Sequence, residues 1–450
     1  MSGPEAPGAG ALRAAEEWLL GRELFGIRPG LERMRVLLAR LGDPQDRFDA
    51  IHVVGSNGKT STVTIAEALL ERHGVRAGTY VSPHLVSFRE RVGIAGEPAA
   101  PEPFAAAVTR VREAAEALEA EATRAEAAGE APAIDGPVTQ FEAVTAAAFV
   151  VLAEAGVACA VIEAGLGGRW DATNVLPPAT PGGGAPVAVL TSVSLEHTRW
   201  LGDTVEAIAT EKAAVLRPGG VLVLAHGLPA GAREVALARA AEVGGTVVEA
   251  PADPGPDVPT PGAAHYQRRN LATAIAAVSA ALGPDVPRDP GAERDVAAHL
   301  AVPGRFETVE PGGGPDGGPR VIHDGAHNEA GFVALGDALR ADPPSRPLVL
   351  LVGVLDDKDP VGMLAAVAPW ADAVVVTEPT NPRRLPAADL ARVAARALPD
   401  RETRVVAGVH DALAAARTLA GSRGTVLVTG SLHLVADLRR GRGAGPGARF

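Results

Sequence analysis

Short apolar runs alternate with segments of helical periodicity along most of this 450-residue chain, and this alternation constrains the fold more than any other feature. It predicts mostly parallel β-sheet with α-helices on both faces. In the first half, strands are predicted at Ile51–Val54, Ala158–Ile162, Val187–Val193 and Val221–Ala225. Helices are predicted at Thr62–His73 and Thr204–Leu216, whereas Glu119–Pro132 is rich in Ala and Glu and predicts a loop insertion or a solvated helix.

The same alternation restarts after residue 320. The strands predicted there are Val321–His323, Leu348–Val352, Ala373–Thr377 and Val426–Val428, and the helices are Glu329–Arg340 and His410–Leu419. A polar, proline-containing stretch separates the two halves at Ala301–Gly304. A chain of this length has room for two or three domains. We therefore predict two α/β domains, residues 1–302 and residues 303–450.

The composition excludes several classes of protein. Lys and Arg total 42 against 54 Asp and Glu, a net charge of −12, so a nucleic-acid partner is not expected, because phosphate binding needs clustered cations. The sequence shows neither a secretory leader nor an apolar run of about 20 residues, so we expect a cytoplasmic protein without a membrane partner. The single cysteine, Cys159, cannot form a disulfide within the chain.

Lysine is almost absent from the chain. Of the 42 basic residues, 39 are arginine and only Lys59, Lys212 and Lys358 are lysine. Where arginine serves for ordinary surface cations, a retained lysine indicates a need for a compact ammonium or for an amine that can be modified. Chance survival is the alternative explanation for each of the three.

A glycine-containing turn, Gly55–Ser61, joins the first predicted strand to its helix. Glycine lets backbone N–H groups turn toward an anion, and the helix N-terminus adds positive potential. Lys59 can reach nucleotide phosphates, and the hydroxyl of Thr60 or Ser61 can bind Mg²⁺. The strict Walker pattern is not met, since Val53 stands where it requires glycine. We still predict nucleotide phosphate binding rather than an ordinary turn.

Side chains that can bind a metal follow two of the predicted strands. Glu163 follows Ala158–Ile162, and His197 lies a few residues after Val187–Val193. Because ligands of open α/β sheets bind at the carboxyl ends of strands, we expect both side chains beside the phosphate turn. A helix-capping role is the alternative for Glu163. Lys212, on the next helix, can take up CO₂ to form a carbamate, which is an oxygen ligand of the kind that Mg²⁺ prefers.

A second group of polar residues lies in the C-terminal half. Asp324 and His327 follow the strand Val321–His323, where Asp324 could instead cap the next helix. Asn270 precedes a helix that we predict to begin at Leu271. Arg305 lies at the predicted domain boundary, and its permanent planar charge suits a transferring phosphoryl group.

Together and in this order, these motifs resemble the folylpolyglutamate synthase/dihydrofolate synthase branch of the Mur ligase superfamily. The resemblance extends from about Leu24 to Val435 and rests on Phe25–Arg33, Gly55–Ser61, Ser82–Leu85, Phe88–Arg91, Thr139–Glu142, Glu163–Asn174, His197–Thr204, Glu211-Lys212, Gln267–Asn270, Pro303–Arg305, Asp324–Asn328 and Gly430–Val435. It implies a P-loop-type ATP-binding domain with a folate pocket over residues 1–302. It also implies a smaller Rossmann-like glutamate ligase domain over residues 303–450.

The resemblance implies roles for individual residues. The ATP phosphates would be held by Gly55, Ser56, Asn57, Gly58, Lys59, Thr60 and Ser61. One or two Mg²⁺ ions would be bound by Ser82, Glu163, His197 and the family's carbamylated lysine, Lys212. The pterin side of the folate pocket would be lined by Thr139, Gln140, Phe141, Glu142, Trp170, Asp171 and Ala172. ATP would also contact Asn270, Arg305 and Asp324, and the catalytic residues would be Lys59, Lys212, Arg305 and His327.

The implied reaction is ATP-dependent amide formation. A carboxylate of dihydropteroate or of a folate glutamate tail takes the γ-phosphate of ATP to give an acyl phosphate, which the amine of L-glutamate attacks. The expected partners are therefore small molecules, and a monomer is expected.

Two departures from the family pattern keep alternatives open. Thr60 after Lys59 is typical of the cell-wall ligases, and Glu196 stands where Asp is usual. A ligase for peptidoglycan precursors is the first alternative, although only about 48 residues precede the first strand, too few for its usual extra domain. A non-catalytic nucleotide-binding module is the second, and the retained lysines, Glu163 and His197 argue against it.

Overall fold

Two separate β-sheets organise the protein in a computed structural model that describes residues 8–22, 30–178, 185–260, 264–312 and 317–441. The first sheet has eight strands: β1 (Asp49–Val54), β2 (Ala77–Tyr80), β3 (Val92–Ile94), β4 (Glu97–Pro98), β5 (Cys159–Glu163), β6 (Val187–Leu190), β7 (Val221–Leu224) and β8 (Thr246–Glu249). Their order is β4-β3-β2-β5-β1-β6-β7-β8, and all pairs are parallel except those of β3 with β2 and β4. Since β1 lies between β5 and β6, the segments that follow these three strands emerge side by side.

Ten α-helices precede the second sheet along the described chain. They are α1 (Ala9–Leu20), α2 (Glu32–Arg40), α3 (Lys59–Arg72), α4 (Pro101–Ala127), α5 (Gln140–Glu154), α6 (Thr198–Leu201), α7 (Val205–Ala213), α8 (Ala230–Glu242), α9 (His265–Leu282) and α10 (Pro290–His299). Part of the core joins β6 and β7 to α7 and α8, with Leu190 and Leu222 packed among Ile208 and Ala236. Burying such side chains supplies the main stabilisation of the sheet.

The second sheet has six strands: β9 (Glu307–Glu310), β10 (Arg320–His323), β11 (Leu348–Val352), β12 (Ala373–Val376), β13 (Glu402–Val405) and β14 (Thr425–Thr429). Its order is β13-β12-β11-β14-β10-β9, and only β9 is antiparallel to its neighbour. Its helices are α11 (Glu329–Ala341), α12 (Pro360–Val367), α13 (Ala387–Ala397), α14 (Val409–Ala420) and α15 (Leu432–Arg440). Leu350 packs in a core with α11 to α13, while Leu351, on the opposite face, is equally buried. Burial on both faces is typical of parallel sheets.

Two compact units divide the chain. The first contains the eight-stranded sheet and Asn270–Glu293, and the second contains Gly255–Arg269 and the six-stranded sheet. The division falls inside α9 and again inside α10. The two-domain α/β fold is therefore confirmed, whereas the boundary at residues 302 and 303 stays a prediction.

Several predicted elements need correction. The helix expected to begin at Leu271 begins at His265, so Asn270 lies within it. Of the two alternatives for Glu119–Pro132, the helix is the one observed, because residues 119–127 form the end of the 27-residue helix α4. The strand expected over Val187–Val193 ends at Leu190. Asp324 does not cap α11, because the side chain of Asn328 accepts a hydrogen bond from the N–H of Gly331. Residues 25–29 of the early family motif lie outside the described residues.

Glu67, on α3, is a buried carboxyl whose ionisation opposes folding. Its side chain is 3% exposed and accepts a hydrogen bond from Gly96 N. Burial raises its pKa to about 7, and the nearby charge of Glu71 adds to the rise. A raised folded-state pKa means that the stabilisation is fully present below the unfolded-state pKa and is lost as the pH rises through about 7.

We expect Glu67→Gln to stabilise the protein at pH 8.5 and to have little effect at pH 4.5. Glutamine has nearly the same shape but no charge, so the variant avoids an ionised buried carboxylate, a difference of about 3 kcal/mol. Urea unfolding at both pH values measures this difference. The exposed Glu116→Gln on α4 is the matched control, and a pH-independent effect of Glu67→Gln would contradict the interpretation.

Candidate active site

The turn between β1 and α3 has the backbone conformation of a phosphate-binding loop. Gly55 and Gly58 adopt positive φ angles of 154° and 87°. At Gly55 a Cβ atom would lie 2.0 Å from Thr191 Oγ1, and at Gly58 it would lie 2.7 Å from Asn270 Oδ1. Both positions therefore require glycine. Asn270, which was predicted to contact ATP, lies beside the loop.

Residues that follow β6 hold this loop in place. Asn57 N donates to Ser192 Oγ at 2.8 Å, and Thr191 Oγ1 donates to Asn57 O at 2.7 Å. Ser56 N donates to Ser192 O, and Ser194 N donates to Ser56 Oγ. The loop is thus fixed by a segment that the sequence analysis did not single out. The feature of the sequence that could have indicated this segment is its position at the end of the predicted strand Val187–Val193.

Lys59 is the first residue of α3, and its side chain folds back over the loop. Nζ donates to Gly55 O at 2.9 Å and to Ser56 O at 3.4 Å. The charged amine is therefore held at the helix N-terminus, where an anion also finds the positive end of the helix dipole.

Glu163 ends β5 and contacts the phosphate loop. Its side chain is 2% exposed, and its Oε2 accepts hydrogen bonds from Thr60 Oγ1 at 3.0 Å and from Ser82 N at 3.4 Å. Three of the predicted site residues thus meet at one carboxylate oxygen. A carboxylate and a hydroxyl beside a phosphate loop fit Mg²⁺, which prefers oxygen and keeps few protein ligands.

Lys212, on α7, forms a buried ion pair with Glu196. The lysine side chain is 2% exposed, and its Nζ lies 3.1 Å from Glu196 Oε1. Although burial opposes ionisation of Glu196, the positive charges of Lys212 and Lys59 lower its pKa to about 2. Burial also lowers the pKa of Lys212. Glu196 is therefore a residue of this site, although the sequence analysis noted it only as a departure from the family pattern.

His197, the neighbour of Glu196, is exposed and precedes the short helix α6 with a φ of 48°. Within the described ranges, no three His, Cys, Asp or Glu side chains are grouped to hold a metal ion. The metal-binding roles of Ser82, His197 and Lys212 stay predictions.

Several residues predicted to line the folate pocket have structural partners. Thr139 and Glu142 form a capping box at the start of α5, and Glu142 also pairs with the buried Arg33 at 2.9 Å. Gln140 Nε2 donates to Leu19 O. Thr139 and Glu142 have the T-x-x-E spacing of a capping box, a signal that could have indicated this role.

Asp171 organises the glycine-rich loop that follows β5. Its Oδ2 accepts from Leu166 N at 2.8 Å, and its Oδ1 accepts from Thr173 N at 3.0 Å. Burial raises its pKa, against the effect of these hydrogen bonds. Ala172 is buried, whereas Trp170 is 53% exposed. Phe141 packs against Gly165, so one of the predicted residues of α5 lies beside this loop.

The second unit holds a separate group of predicted residues. Asp324 Oδ2 accepts from Tyr266 Oη at 2.8 Å and from Phe306 N at 2.9 Å, and its Oδ1 accepts from Ala326 N. Burial raises the pKa of Asp324, and the charge of Arg305 opposes the rise. His327 Nδ1 lies 2.8 Å from Gly325 O. Their contacts with ATP stay predictions.

Comparison with known proteins identifies the family. A model described as "Mur ligase, glutamate ligase domain" matches residues 304–432. The chain is 35% identical to the dihydrofolate synthase/folylpolyglutamate synthase of Mycobacterium tuberculosis, over 90% of this chain and 88% of that protein. This chain belongs to the folylpolyglutamate synthase/dihydrofolate synthase family. The predicted resemblance is thereby confirmed.

Solved structures of the family have the same fold. Mycobacterium tuberculosis folylpolyglutamate synthase in complex with ADP matches with a TM-score of 0.83 and 32% identity, over 98% of this chain and 100% of that one. A bifunctional folylpolyglutamate synthase/dihydrofolate synthase with Mn, AMPPNP and L-glutamate bound matches with a TM-score of 0.76 and 27% identity, over 97% and 98%. These relatives belong to the folate branch, and the cell-wall ligases share only the superfamily with it. Among the described helices, none combines the length and the apolarity that crossing a bilayer requires.

Proposed function

We propose that this family member adds L-glutamate to dihydropteroate, to the γ-carboxylate of folate tails, or to both, through an acyl phosphate made from ATP. The observation that carries the proposal is the meeting of the phosphate loop, Lys59 and Glu163 at one edge of the first sheet. The related enzymes bind ADP, AMPPNP, Mn and L-glutamate. We extend these ligand classes to this chain, with ATP and one or two Mg²⁺ ions as cofactors.

The chain's own residues would act by positioning and by neutralising charge, which is most of what phosphoryl transfer requires. Backbone N–H groups of residues 55–61 would bind the phosphates. Lys59 would stabilise charge that develops on the leaving oxygens. Glu163 and Thr60 would hold Mg²⁺, which supplies further charge neutralisation when bound. Arg305 and Asp324 are proposed to contact ATP, and Arg305 and His327 are proposed as catalytic residues.

Lys212 is proposed to become a carbamate in the active enzyme. Glu196 lies 3.1 Å from its amine, so the modification would replace an ion pair with two neighbouring anions. Two such oxygen donors beside Lys59 are a donor set suited to Mg²⁺. His197 and Ser82 are proposed as the remaining protein ligands.

The folate acceptor is proposed to bind along the glycine-rich loop after β5. Trp170 is half exposed and Phe141 is partly exposed, whereas Tyr80, whose ring centroid lies 6.2 Å from that of Phe141, is fully buried. Flat aromatic surfaces of this kind suit stacking with a pterin ring. Asp171 would act there chiefly by shaping the loop, since both of its oxygens accept hydrogen bonds from loop residues. Monomeric state and cytoplasmic location stay predictions.

The direct test is ADP release by the purified protein with Mg-ATP and L-glutamate. Three reactions are compared: 7,8-dihydropteroate as acceptor, a tetrahydrofolate monoglutamate as acceptor, and no acceptor. Turnover with both acceptors establishes a bifunctional ligase, and turnover with one shows which step the enzyme serves. If neither acceptor supports ADP release but a peptidoglycan precursor does, the cell-wall alternative is established. The absence of ADP release with every acceptor would favour the non-catalytic module.

Glu163→Gln tests the proposed metal site. The amide keeps the shape of the side chain but removes the charge that attracts Mg²⁺, so we expect the Mg²⁺ concentration for half-maximal ADP release to rise about tenfold or more. The measurement is a Mg²⁺ titration at saturating ATP. The exposed Glu154→Gln on α5 serves as the control, and an unchanged titration in Glu163→Gln would argue against this ligand.

A further inference from the structure

A cavity of about 230 Å³ lies at the edge of the first sheet opposite the phosphate loop. It is bordered by the first residues of β1, β5 and β6 and by residues at the ends of α3 and α9. Val187, Leu70 and Leu282 contribute apolar wall. None of the residues proposed above for ATP, metal or folate lines this cavity.

Arg217, shortly after α7, provides a cation in the cavity wall. Its Nη2 donates to Asn174 O at 2.8 Å, and no carboxylate pairs with it in the part of the chain that the structure describes. Burial lowers the pKa of Arg217, and the positive charges of Arg35 and Arg239 add to this effect. Arg35 and Arg239 each have an exposed glutamate partner on their own helix. Of the three arginines, Arg217 is therefore the one whose charge is not balanced by a carboxylate partner among the described residues.

The other polar groups of the lining leave this cation available. His52 is buried and uncharged near neutral pH, since burial lowers its pKa to about 3. Asp49 also lines the cavity, and its carboxylate adds to the effect of burial, which raises the pKa of the Cys159 thiol to about 12. Because C-terminal helix ends also direct carbonyl groups toward this edge, a small anion without an apolar part would gain little here.

We propose that this cavity is a second ligand site, which binds a small organic anion with its charged group on Arg217 and its apolar part between the strand ends. An uncompensated, partly buried cation beside apolar walls matches a monocarboxylate with an aromatic or branched body. The phosphate loop lies at the other edge of the sheet, so the occupant would be additional to ATP.

The polar wall of the cavity is bonded to the loop that follows β5. Arg217 donates to Asn174 O, and His52 Nε2 lies 2.8 Å from Thr173 Oγ1, which in turn donates to Asp171. Asp171 and its neighbours are the proposed folate-binding segment, so this step rests on the proposed function. We therefore expect an occupant to change the KM for the folate acceptor and to leave the KM for ATP unchanged.

Cys159 gives a local measurement of occupancy, because it lines the cavity and the chain has no other cysteine. Methyl methanethiolsulfonate, a small uncharged reagent, is allowed to react with the native protein, and mass spectrometry follows the labelling rate. Benzoate is the anionic probe, and benzamide is the uncharged probe of the same shape. We expect benzoate to slow labelling in a saturable manner at concentrations at which benzamide does not.

Arg217→Gln removes the proposed contact. We expect the benzoate concentration for half protection to rise about tenfold, as for the loss of a charge-assisted hydrogen bond, whereas Arg217→Lys retains most of the protection. Arg233→Gln, in an exposed ion pair of α8, is the control and should match the wild type. Equal protection by benzoate in wild type and Arg217→Gln, or equal protection by benzoate and benzamide in wild type, would overturn the anion site. The second comparison needs no variant.

The link to the acceptor is tested separately, by initial rates with and without benzoate. A changed KM for the tetrahydrofolate acceptor in wild type, absent in Arg217→Gln, supports the link. Protection of Cys159 with no change in that KM overturns the link and leaves the site intact. Labelling does not depend on turnover, so a failure of the ligase assignment and a failure of the cavity site give different results.

Discussion

Lys59→Met is expected to reduce kcat/KM for ATP about a thousandfold, which is the scale of loss when one preorganised group that stabilises transition-state charge is removed. Methionine has a similar length but carries no charge. Lys59 Nζ lies over the carbonyl groups of Gly55 and Ser56, where it would face the phosphates of a loop-bound nucleotide. The measurement is steady-state ADP release with saturating acceptor and L-glutamate.

The control for this variant is Arg72→Gln, an exposed cation at the other end of the same helix. We expect Arg72→Gln to retain wild-type kinetics. A melting temperature close to that of wild type would show that Lys59→Met is folded, since its hydrogen bonds are confined to the loop. A rate within tenfold of wild type in Lys59→Met would refute the assigned role.

Lys212→Ala is expected to abolish ADP release, and short carboxylates such as formate or acetate should restore part of it. The side chain is 2% exposed, so alanine leaves a space into which a small carboxylate can bind in place of the carbamate. Removing one partner of a buried ion pair also destabilises the fold by about 3 kcal/mol or more, because Glu196 stays buried without its cation. Full activity of the variant without added carboxylate would eliminate the carbamate.

Two further variants separate chemistry from stability at this position. Lys212→Ala combined with Glu196→Gln removes the unpaired charge, so its stability should recover without recovery of activity. Lys212→Arg keeps a cation beside Glu196 but cannot supply the lysine carbamate, so we expect it to be inactive and not rescued. An active Lys212→Arg would show that the ion pair alone is sufficient. Labelling of the wild type with ¹³C-bicarbonate, followed by NMR, detects the modification directly.

The sequence predicts the parts of this fold that depend on local pattern. The strand Leu348–Val352 has the predicted bounds, and β1 with the phosphate loop follows from an apolar run, two glycines and a helix start. The Ala- and Glu-rich end of α4 was predicted only as a loop insertion or a solvated helix, because it has no strong apolar stripe, and the apolar start of the same helix was not predicted. A helix is recognised in a sequence by the periodic spacing of its apolar residues, and a largely solvated helix end has few apolar residues.

The candidate site was predictable in its members but not in their contacts. A carboxylate that follows a strand can face a ligand or can hold a loop in place. The residue type and its position in the sequence do not distinguish these two roles. Asp171 and Asp324 each accept hydrogen bonds from neighbouring backbone N–H groups, and Glu196 has Lys212 as partner. The partners of Asp171 and Asp324 are five and two residues away, and Lys212 is 16 residues from Glu196, so these pairings depend on the exact backbone conformation of each loop, which periodicity does not encode.

The bonds that hold the phosphate loop bear on the order of events during synthesis. Asn57 and Ser192, which are hydrogen-bonded, are separated by 135 residues in the chain. The glycine turn and its helix are therefore synthesised well before the segment that fixes the shape of the loop. N-terminal portions of a chain fold first as the chain emerges. Until β6 and residues 191–194 have left the exit tunnel, the nascent enzyme lacks a shaped nucleotide site. Nucleotide can favour the native state only after this segment has emerged, because a ligand stabilises only the form that binds it.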